Sequence, residues 1–388
     1  MTGVRRTYMR RLMRGMGLLL GVTVLSLALG ESFLRLCPAS VLPAGLQQRL
    51  HAEPHDVGLS HPSIGVLEQP FQTGVFTGPD FKAVYHTDGH GFRNPSPWPP
   101  EADVVVLGDA VVFGYGVEDA QAWPALLAQW LAPRRVLNLG LIDAGPQQYL
   151  RVYETFESAF RPRVVLVGLS LANDFEDAEL FDGWWRTDGR ENYRVWKAFA
   201  RMSLAHPLDT LHTLLRRYSY LLHIVWSSGA RITHFHCLDG VWLHLFPDQL
   251  EAASAKAQPD QPAFHLVLQA LQRLQARAQE QGAYVLVVFQ PSQEETYLPL
   301  LGNAVPDLQH TLQEALAQHG IAMLDLTPIF RHQATIGARL FFTMEGYPNA
   351  QGHLLIARSV LRHLTGQAPT DTLSLWEQEA WQEERGRE

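Results

Sequence analysis

The chain carries the run VVVLGDA at Val104–Ala110, in which four apolar residues precede Gly-Asp-Ala. Near-continuous apolar runs of this length are typical of strands that are buried on both faces of a parallel sheet. Four later runs have the same character, and amphipathic helical stretches precede the last two of them. The predicted strands are Val104–Leu107, Val136–Leu139, Val164–Gly168, Tyr284–Phe289 and Ala322–Leu326. The pattern predicts an α/β fold with a doubly wound, flavodoxin-like, five-stranded parallel sheet.

Glycine and polar residues follow the strand ends in four blocks. The blocks are GDA at Gly108–Ala110, NLGLIDAGP at Asn138–Pro146, GLSLAND at Gly168–Asp174 and EGYPNAQGH at Glu345–His353. Their order and spacing resemble those of the SGNH (GDSL-type) hydrolases, a family of esterases and acyltransferases. The resemblance implies that the site lies at the carboxyl ends of the strands.

The resemblance also assigns a role to each site position. In that family a serine nucleophile begins the helix after the first strand, and this position is Ala110 here. The loop glycine that donates its backbone N–H to the oxyanion corresponds by spacing to Asp143, and the oxyanion asparagine is kept as Asn173. The acid and base positions hold Glu345 and Tyr347. The nucleophile, the base and the oxyanion glycine are therefore all replaced.

The replaced residues do not suit ester hydrolysis. An alanine methyl is no nucleophile, and a phenol with a reference pKa of about 10 is a poor general base at neutral pH. A carboxylate at Asp143 would oppose the negative charge that develops on an oxyanion. Asp109 is expected to cap the helix that follows it, and Asp109, Asn173 and Tyr347 remain as candidate ligand-binding residues. The sequence favours a non-catalytic site.

Three functions remain open. The first is an SGNH-like pseudoenzyme that acts as a binding or assembly subunit. Related anchored SGNH proteins work in cell-surface polysaccharide acylation, so the resemblance implies an acyl-bearing glycan or a membrane acyltransferase as partner. The second is an active esterase or O-acyltransferase that uses a relocated nucleophile, for which the nearest groups are Ser170, Asp174, His353 and Asp109. The third is a structural protein whose former cleft is filled.

The first segment is a targeting signal. Five arginines precede the apolar run Met16–Gly30, and the first acidic residue is Glu31. Because arginine-rich ends stay in the cytoplasm, the main domain is expected to be extracytoplasmic, in the periplasm. The run is short for a spanning helix of about 20 residues, but Phe33 and Leu34 extend it. We interpret it as an uncleaved, single-pass transmembrane signal anchor, and a cleaved signal peptide that ends at Ala28-Leu29-Gly30 is the alternative.

Composition divides the chain into four parts. Residues 1–37 form the basic tip and the anchor, residues 38–100 a stalk with a small irregular or β-rich lead-in, residues 101–366 the SGNH-like domain, and residues 367–388 a polar acidic tail. Residues 175–260 break the strand–helix alternation, which predicts a helical insertion after the third strand. The insertion's amphipathic helix is predicted from Leu208, Leu211, Leu215 and Leu222.

Charge and metal-binding residues exclude several classes of function. A formal charge of -8 with no basic run beyond the first segment excludes a nucleic-acid partner. Cys37 and Cys237 are too few for a disulfide framework, although one bridge between them stays open. His234, His236 and His244 lack a further ligand pair at metal-site spacing. No metal and no cofactor is expected.

Overall fold

The computed structural model describes residues 21–22, 25–33, 58–99, 101–187, 192–204 and 235–366. The chain divides into two compact units, one of residues 1–55 and 199–234 and the other of residues 56–198 and 235–388. In the first unit, residues 21–22 and 25–33 are helical. The remainder of the predicted anchor and the predicted amphipathic helix through Leu208 lie outside the described residues. Among the described helices, none is both long enough and apolar enough to cross a membrane.

The second unit is built on a parallel sheet. The described strands are, in chain order, β1 (Leu59–His61), β2 (Gly65–Leu67), β3 (Thr73–Thr77), β4 (Lys82–His86), β5 (Val104–Gly108), β6 (Val136–Gly140), β7 (Val164–Leu169), β8 (Phe235–Leu238), β9 (Val241–His244), β10 (Tyr284–Phe289) and β11 (Ala322–Asp325). Five of them form the central sheet in the order β11-β10-β7-β5-β6. Every neighbouring pair in it is parallel, so the predicted five-stranded parallel sheet is confirmed.

The strand register follows directly from the apolar runs. Val104 pairs with Val136 on one side and with Val164 on the other, and Val164 pairs with Tyr284. All five residues of β5 are buried, as an unbroken apolar run at the centre of a sheet requires. The residues that follow β5, β6 and β7 therefore meet at one edge, the carboxyl edge of the sheet.

Helices pack on this sheet in two groups. The described helices are Ala110–Phe113, Trp123–Leu131, Pro146–Phe156, Asp174–Trp185, Tyr193–Leu204, Pro247–Lys256, Pro262–Glu280, Gln293–Tyr297, Gln309–Gln318, Thr327–Thr335 and Ala350–Thr365. Trp123–Leu131 packs against Ala350–Thr365, whereas Pro146–Phe156, Asp174–Trp185 and Pro262–Glu280 pack against one another. This two-sided arrangement is that of a doubly wound fold.

One long helix shows how well its sequence signals work. The apolar face predicted for Pro262–Glu280 consists of Phe264, Leu268, Leu271, Leu274 and Ala278, and all of these except the half-buried Leu268 are buried. Gly282 follows with a φ of 77°, the left-handed conformation that ends a helix without strain at glycine.

The predicted insertion, residues 175–260, is not purely helical. Its described part contains the antiparallel hairpin β8–β9 beside its helices. Asp239 and Gly240 close this hairpin with φ values of 49° and 80°. Asp-Gly between two alternating segments is a strong signal for a two-residue hairpin turn, and the prediction of a helical insertion did not take it into account. Two further hairpins, β1–β2 and β3–β4, form the lead-in to the domain.

Candidate functional site

The nucleophile position after β5 is Ala110, the first residue of the helix Ala110–Phe113. Asp109 caps this helix, because its carboxylate accepts a hydrogen bond from the backbone N–H of Val111 at 2.9 Å. Burial raises the pKa of the Asp109 carboxyl to about 6, and the Asp177 carboxylate nearby adds to the effect. Ala110 is only 4% exposed. Its methyl group does not border open solvent.

Aromatic rings cover Ala110. Phe76 and Tyr85, on β3 and β4, stack with their ring centroids 4.1 Å apart. The ring of Tyr115 lies 4.7 Å from Phe76 and 4.6 Å from Tyr347. The same cluster as Ala110 also includes Phe81, Phe113 and Ile142. We call the rings of Phe76, Phe81, Tyr85, Phe113, Tyr115 and Tyr347 the aromatic cover, because they pack in one cluster with Ala110.

The hairpin β3–β4 is shaped for this packing. Gly74 lies opposite Tyr85 in the register of the hairpin. A Cβ atom at Gly74 would come within 2.2 Å of the Tyr85 ring, so glycine is needed for the ring to fold across the strand.

Polar contacts fasten the same hairpin on two sides. The Asp119 carboxylate accepts hydrogen bonds from Arg93 Nη2 at 2.6 Å and from His86 Nδ1 at 2.7 Å. On the other side, Asp80 Oδ2 accepts a hydrogen bond from Thr343 Oγ1 at 2.9 Å. Because Thr343 belongs to the loop that enters the fourth sequence block, the hairpin and that loop are held together.

Asn173, the predicted oxyanion asparagine, donates to two carboxylates. Asn173 Nδ2 donates to Asp109 Oδ2 at 3.3 Å and to Asp177 Oδ2 at 3.2 Å. An amide nitrogen carries two hydrogens, and both are directed at carboxylate oxygens here. An oxyanion would have to displace one of these carboxylates to reach Asn173.

The next residue, Asp174, is fully buried. Its carboxylate accepts hydrogen bonds from Tyr149 Oη at 2.5 Å and from the backbone N–H of Ser170 at 2.6 Å. Burial, and then the Asp109 carboxylate, raise the pKa of Asp174 well above its usual range. These contacts brace the loop after β7 and leave Asp174 without access to a substrate.

The oxyanion-glycine position keeps a glycine-like backbone. Asp143 has a φ of 63°, which costs a residue with a Cβ on the order of 1 kcal/mol. Lys197, on the helix Tyr193–Leu204, donates to the backbone carbonyl of Asp143 at 2.9 Å and lies 3.7 Å from its carboxylate. Arg194 Nε lies 3.9 Å from the same carboxylate. The negative charge at Asp143 is therefore offset by two cations, and Lys197 also pairs with Asp177 at 2.8 Å.

Sequence reasoning did not find these two cations. Lys197 and Arg194 come from the insertion, where no block of the family resemblance applies. Arg194 also pairs with Glu68 of the lead-in. A lysine and an arginine three residues apart on one helical face were the available signal, but nothing in the sequence shows which carboxylates they meet.

The fourth block places Tyr347 beside Ala110 and leaves Glu345 exposed. Burial, followed by the carboxylates of Asp109 and Asp143, raises the pKa of the Tyr347 phenol above its usual range. A phenol in this setting stays protonated at neutral pH and does not act as a general base. Ala110, Asn173 and Tyr347 thus converge at the carboxyl edge of the sheet. Tyr347 and Ala110 share one cluster, and Asn173 bonds to Asp109, the residue before Ala110.

The remaining candidates for a relocated site are structurally engaged. His353 is fully buried, its Nδ1 accepts from the backbone N–H of Trp123 at 3.3 Å, and burial lowers its pKa to about 3. The Ser170 hydroxyl accepts from the backbone N–H of Ala172 at 3.3 Å.

The histidines and cysteines that the structure describes are not placed for a metal site or a disulfide. His236 pairs with Leu243 and His244 with Phe235, so the two imidazoles lie on opposite faces of the hairpin. No group of three histidine, cysteine or acidic residues among those described is placed to hold a metal ion. Cys237 is free and exposed, and His234 and Cys37 lie outside the described residues.

No protein-family model matches the chain, and no curated protein does. A solved structure of a lipolytic G-D-S-L family protein from Veillonella parvula is 14% identical with a TM-score of 0.36, and the match covers 67% of this chain and 96% of that one. The structure of TesA is 14% identical with a TM-score of 0.36, covering 68% and 98%. A catalytic mutant of an acetylxylan esterase from Geobacillus stearothermophilus is 12% identical with a TM-score of 0.34, covering 70% and 97%. The likeness is to SGNH/GDSL-type hydrolases and concerns the fold.

Proposed function

We propose that this chain is an SGNH-fold pseudoenzyme that does not hydrolyse esters at the inherited site and acts as a binding or assembly subunit. The observation that carries the proposal is the closure of that site. Ala110 is 4% exposed beneath the aromatic cover. Even a serine at position 110 could react only if a substrate could reach it.

The chemistry around Ala110 supports the same proposal. The phenol of Tyr347 stands at the base position with a raised pKa. The amide of Asn173 is bonded to two carboxylates. Triad catalysis needs a hydroxyl, a base within hydrogen-bond reach and free donors at the oxyanion position, and each of these is replaced or engaged.

The setting that we propose for this activity is the outer face of a membrane. The arginines before Met16–Gly30 support export and tethering through the N-terminal segment. The resemblance to anchored SGNH proteins suggests a role in cell-surface polysaccharide acylation, with an acyl-bearing glycan or a membrane acyltransferase as the partner.

The competing function is an esterase or O-acyltransferase with a relocated nucleophile. One described serine does contact an imidazole, since Ser63 Oγ lies 3.2 Å from His61 Nδ1. The same Nδ1 also accepts from the backbone N–H groups of Ser63 and Ile64, so the contact belongs to the turn between β1 and β2. This pair therefore does not favour the enzyme hypothesis.

Hydrolysis of an activated acyl ester tests the proposal. The purified full chain and its Ala110→Ser variant are mixed with p-nitrophenyl acetate, and both the burst and the steady-state release of p-nitrophenol are measured. We expect neither protein to exceed the buffer rate, because a new hydroxyl would still lack a base.

The triple variant Ala110→Ser, Asp143→Gly, Tyr347→His is the matched comparison, since it restores nucleophile, base and oxyanion glycine together. Stoichiometric acylation of the wild type, or turnover by Ala110→Ser well above the buffer rate, would reveal a hidden base. Either result would replace the pseudoenzyme with a displaced catalytic site.

A further inference from the structure

The hydroxyl of Tyr149 faces two buried acceptors. Its Oη lies 3.0 Å from the backbone carbonyl oxygen of Ala144 and 2.5 Å from Asp174 Oδ1. A phenol carries a single hydrogen, so it can make a full hydrogen bond to only one of these two oxygens. All three residues are at most 1% exposed, so bulk solvent does not reach the oxygen that is left over.

The two protonation states of Asp174 pair these groups differently. As an anion, Asp174 takes the hydrogen of Tyr149, and no other donor in the described part of the chain serves the Ala144 carbonyl. As a neutral acid, Asp174 donates from Oδ1 to Tyr149 Oη, which then donates to the Ala144 carbonyl. The second oxygen, Oδ2, accepts from the backbone N–H of Ser170 at 2.6 Å in both states. Only the neutral acid gives each of these buried groups a partner, as buried polar groups in folded proteins require.

The charged groups nearest to Asp174 favour the same state. The Asp109 carboxyl accepts from a backbone N–H and from the amide of Asn173, as an ionised carboxylate does. Lys197 lies 2.8 Å from Asp177, whereas Asp174 forms no ion pair in the part of the chain that the structure describes. Burial, and then the Asp109 carboxylate, raise the pKa of Asp174 well above its usual range. A second negative charge beside Asp109 is thus disfavoured.

Two further helices pack on the helix Asp174–Trp185 and present other groups to it. Pro262–Glu280 contributes a stacked pair of phenylalanine rings with centroids 6.2 Å apart. The helix before it contributes Lys256, whose Nζ lies 3.4 Å from Glu176 and 3.2 Å from Glu179. The cation from this side therefore pairs with the neighbouring glutamates, and the proton on Asp174 is decided by Tyr149 and Asp109.

We propose that Asp174 is a neutral carboxylic acid in the folded protein, and that its proton holds the loop between β6 and Pro146–Phe156 in place through Tyr149. When Asp174 ionises, its O–H bond breaks, the proton passes to bulk water and the negative charge stays on the carboxylate. The hydrogen of Tyr149 then turns to Asp174, and the carbonyl of Ala144 loses its donor. Ala144 follows Asp143, so a rise in pH releases the loop that carries the predicted oxyanion position.

Infrared spectroscopy of the full chain in detergent, with isotope-labelled aspartate, tests the protonation state. A neutral acid and a carboxylate absorb at separate frequencies, and the label distinguishes aspartate from glutamate. At about pH 7, where an aspartate with the ordinary pKa of about 3.9 is ionised, we expect an acid C=O band in the wild type. The band should be absent in Asp174→Asn, persist in Asp109→Asn, and shift in Tyr149→Phe because the acid loses its acceptor. No acid band in the wild type, or a band lost only in Asp109→Asn, would overturn the proposal.

Amide hydrogen exchange in residues 141–145 measures the release of the loop. In the wild type, protection relative to the intrinsic exchange rate should fall about tenfold as the pH rises through the loss of the acid band. Asp174→Asn is the matched variant, because its amide can donate to Tyr149 while its oxygen accepts from the backbone N–H of Ser170. Its protection should stay constant over the same pH range. Protection that falls equally in Asp174→Asn, or that does not fall in the wild type, would contradict the proposed release.

Discussion

At the scale of single residues, a buried ion pair from outside the four sequence blocks lies beside the candidate site. The Lys197 side chain is 4% exposed and Asp177 is 1% exposed, and their charged atoms lie 2.8 Å apart. A buried carboxylate that loses its cation costs far more than the pair itself contributes, since the remaining charge stays desolvated.

Lys197→Met should therefore lower the free energy of unfolding by about 3 kcal/mol or more. The double variant Lys197→Met, Asp177→Asn should recover most of this loss, because the other carboxylate near Lys197, Asp143, is 48% exposed and keeps Arg194 nearby. Urea denaturation of the four proteins in the cycle measures the coupling. Lys256→Met is the matched control, since Lys256 is 32% exposed where it pairs with Glu179, and it should cost less than about 1 kcal/mol. Equal losses at the two lysines would contradict the assignment.

A second buried carboxyl, Glu295, makes stability depend on pH. Burial raises its pKa from 4.5 to about 7, although Ser292 N donates to it at 2.9 Å. A carboxyl whose folded pKa is raised favours the folded state fully below pH 4.5, and this contribution is lost as the pH rises through about 7.

Glu295→Gln cannot ionise and so removes this pH-dependent term, but its amide NH2 replaces one of two acceptor oxygens, since Oε1 accepts from Gln309 Nε2 at 2.6 Å and Oε2 from Ser292 N at 2.9 Å. From pH 4.5 to pH 8, the stability of the wild type relative to the variant should therefore fall by up to about 3 kcal/mol. Thermal or urea unfolding across this range gives the answer, with the exposed Glu101→Gln as control. A stability difference that stays constant between pH 4.5 and pH 8 would show that Glu295 does not titrate in this range.

Within the four sequence blocks, the sequence alone predicted which residues lie at the site. It did not predict which residues surround them. The positions of Ala110, Asn173 and Tyr347 follow from strand ends, because parallel strands bring these ends to one edge. Lys197 and Tyr85 reach the site from segments with no fixed sequence distance to it, so only the packed structure assigns them.

At the scale of elements, the hairpin β3–β4 contributes Phe76 and Tyr85 to the cluster that packs with Ala110. The lead-in was predicted as irregular or β-rich, which does not reveal that it carries the aromatic cover. The Asp119 carboxylate anchors this hairpin, since it accepts hydrogen bonds from both Arg93 and His86.

Asp119→Ala should loosen the cover. The Arg93 side chain, 2% exposed, would keep its backbone acceptors but lose its counter-ion. We expect amide hydrogen exchange in residues 73–86 to rise about tenfold or more, while β5 and β7 stay protected. Asp182→Ala, which breaks a surface pair with Arg186, is the control. Unchanged exchange in the hairpin would mean that ring packing alone holds it.

At the scale of the whole molecule, topology across the membrane is the open prediction. The arginines before Met16–Gly30 predict that the N-terminus stays in the cytoplasm. A reporter that is active only outside the cytoplasm should therefore work when fused after Glu388, and a cytoplasm-only reporter should not. Activity of the cytoplasmic reporter would refute export. Changing the five arginines to glutamine is the control, because it should weaken the orientation.

The pairing of β7 with β10 also has a consequence for how the chain folds. Strands β5, β6 and β7 come from one contiguous segment, whereas β10 reaches β7 only after the entire insertion. Each doubling of the closed loop adds about 0.6 kcal/mol of entropic cost, and long-range pairings slow folding. We therefore expect the three early strands to assemble first, with the β10 edge of β7 unpaired until residue 289 has been made. During synthesis this apolar edge is the place where the nascent chain most needs protection from aggregation.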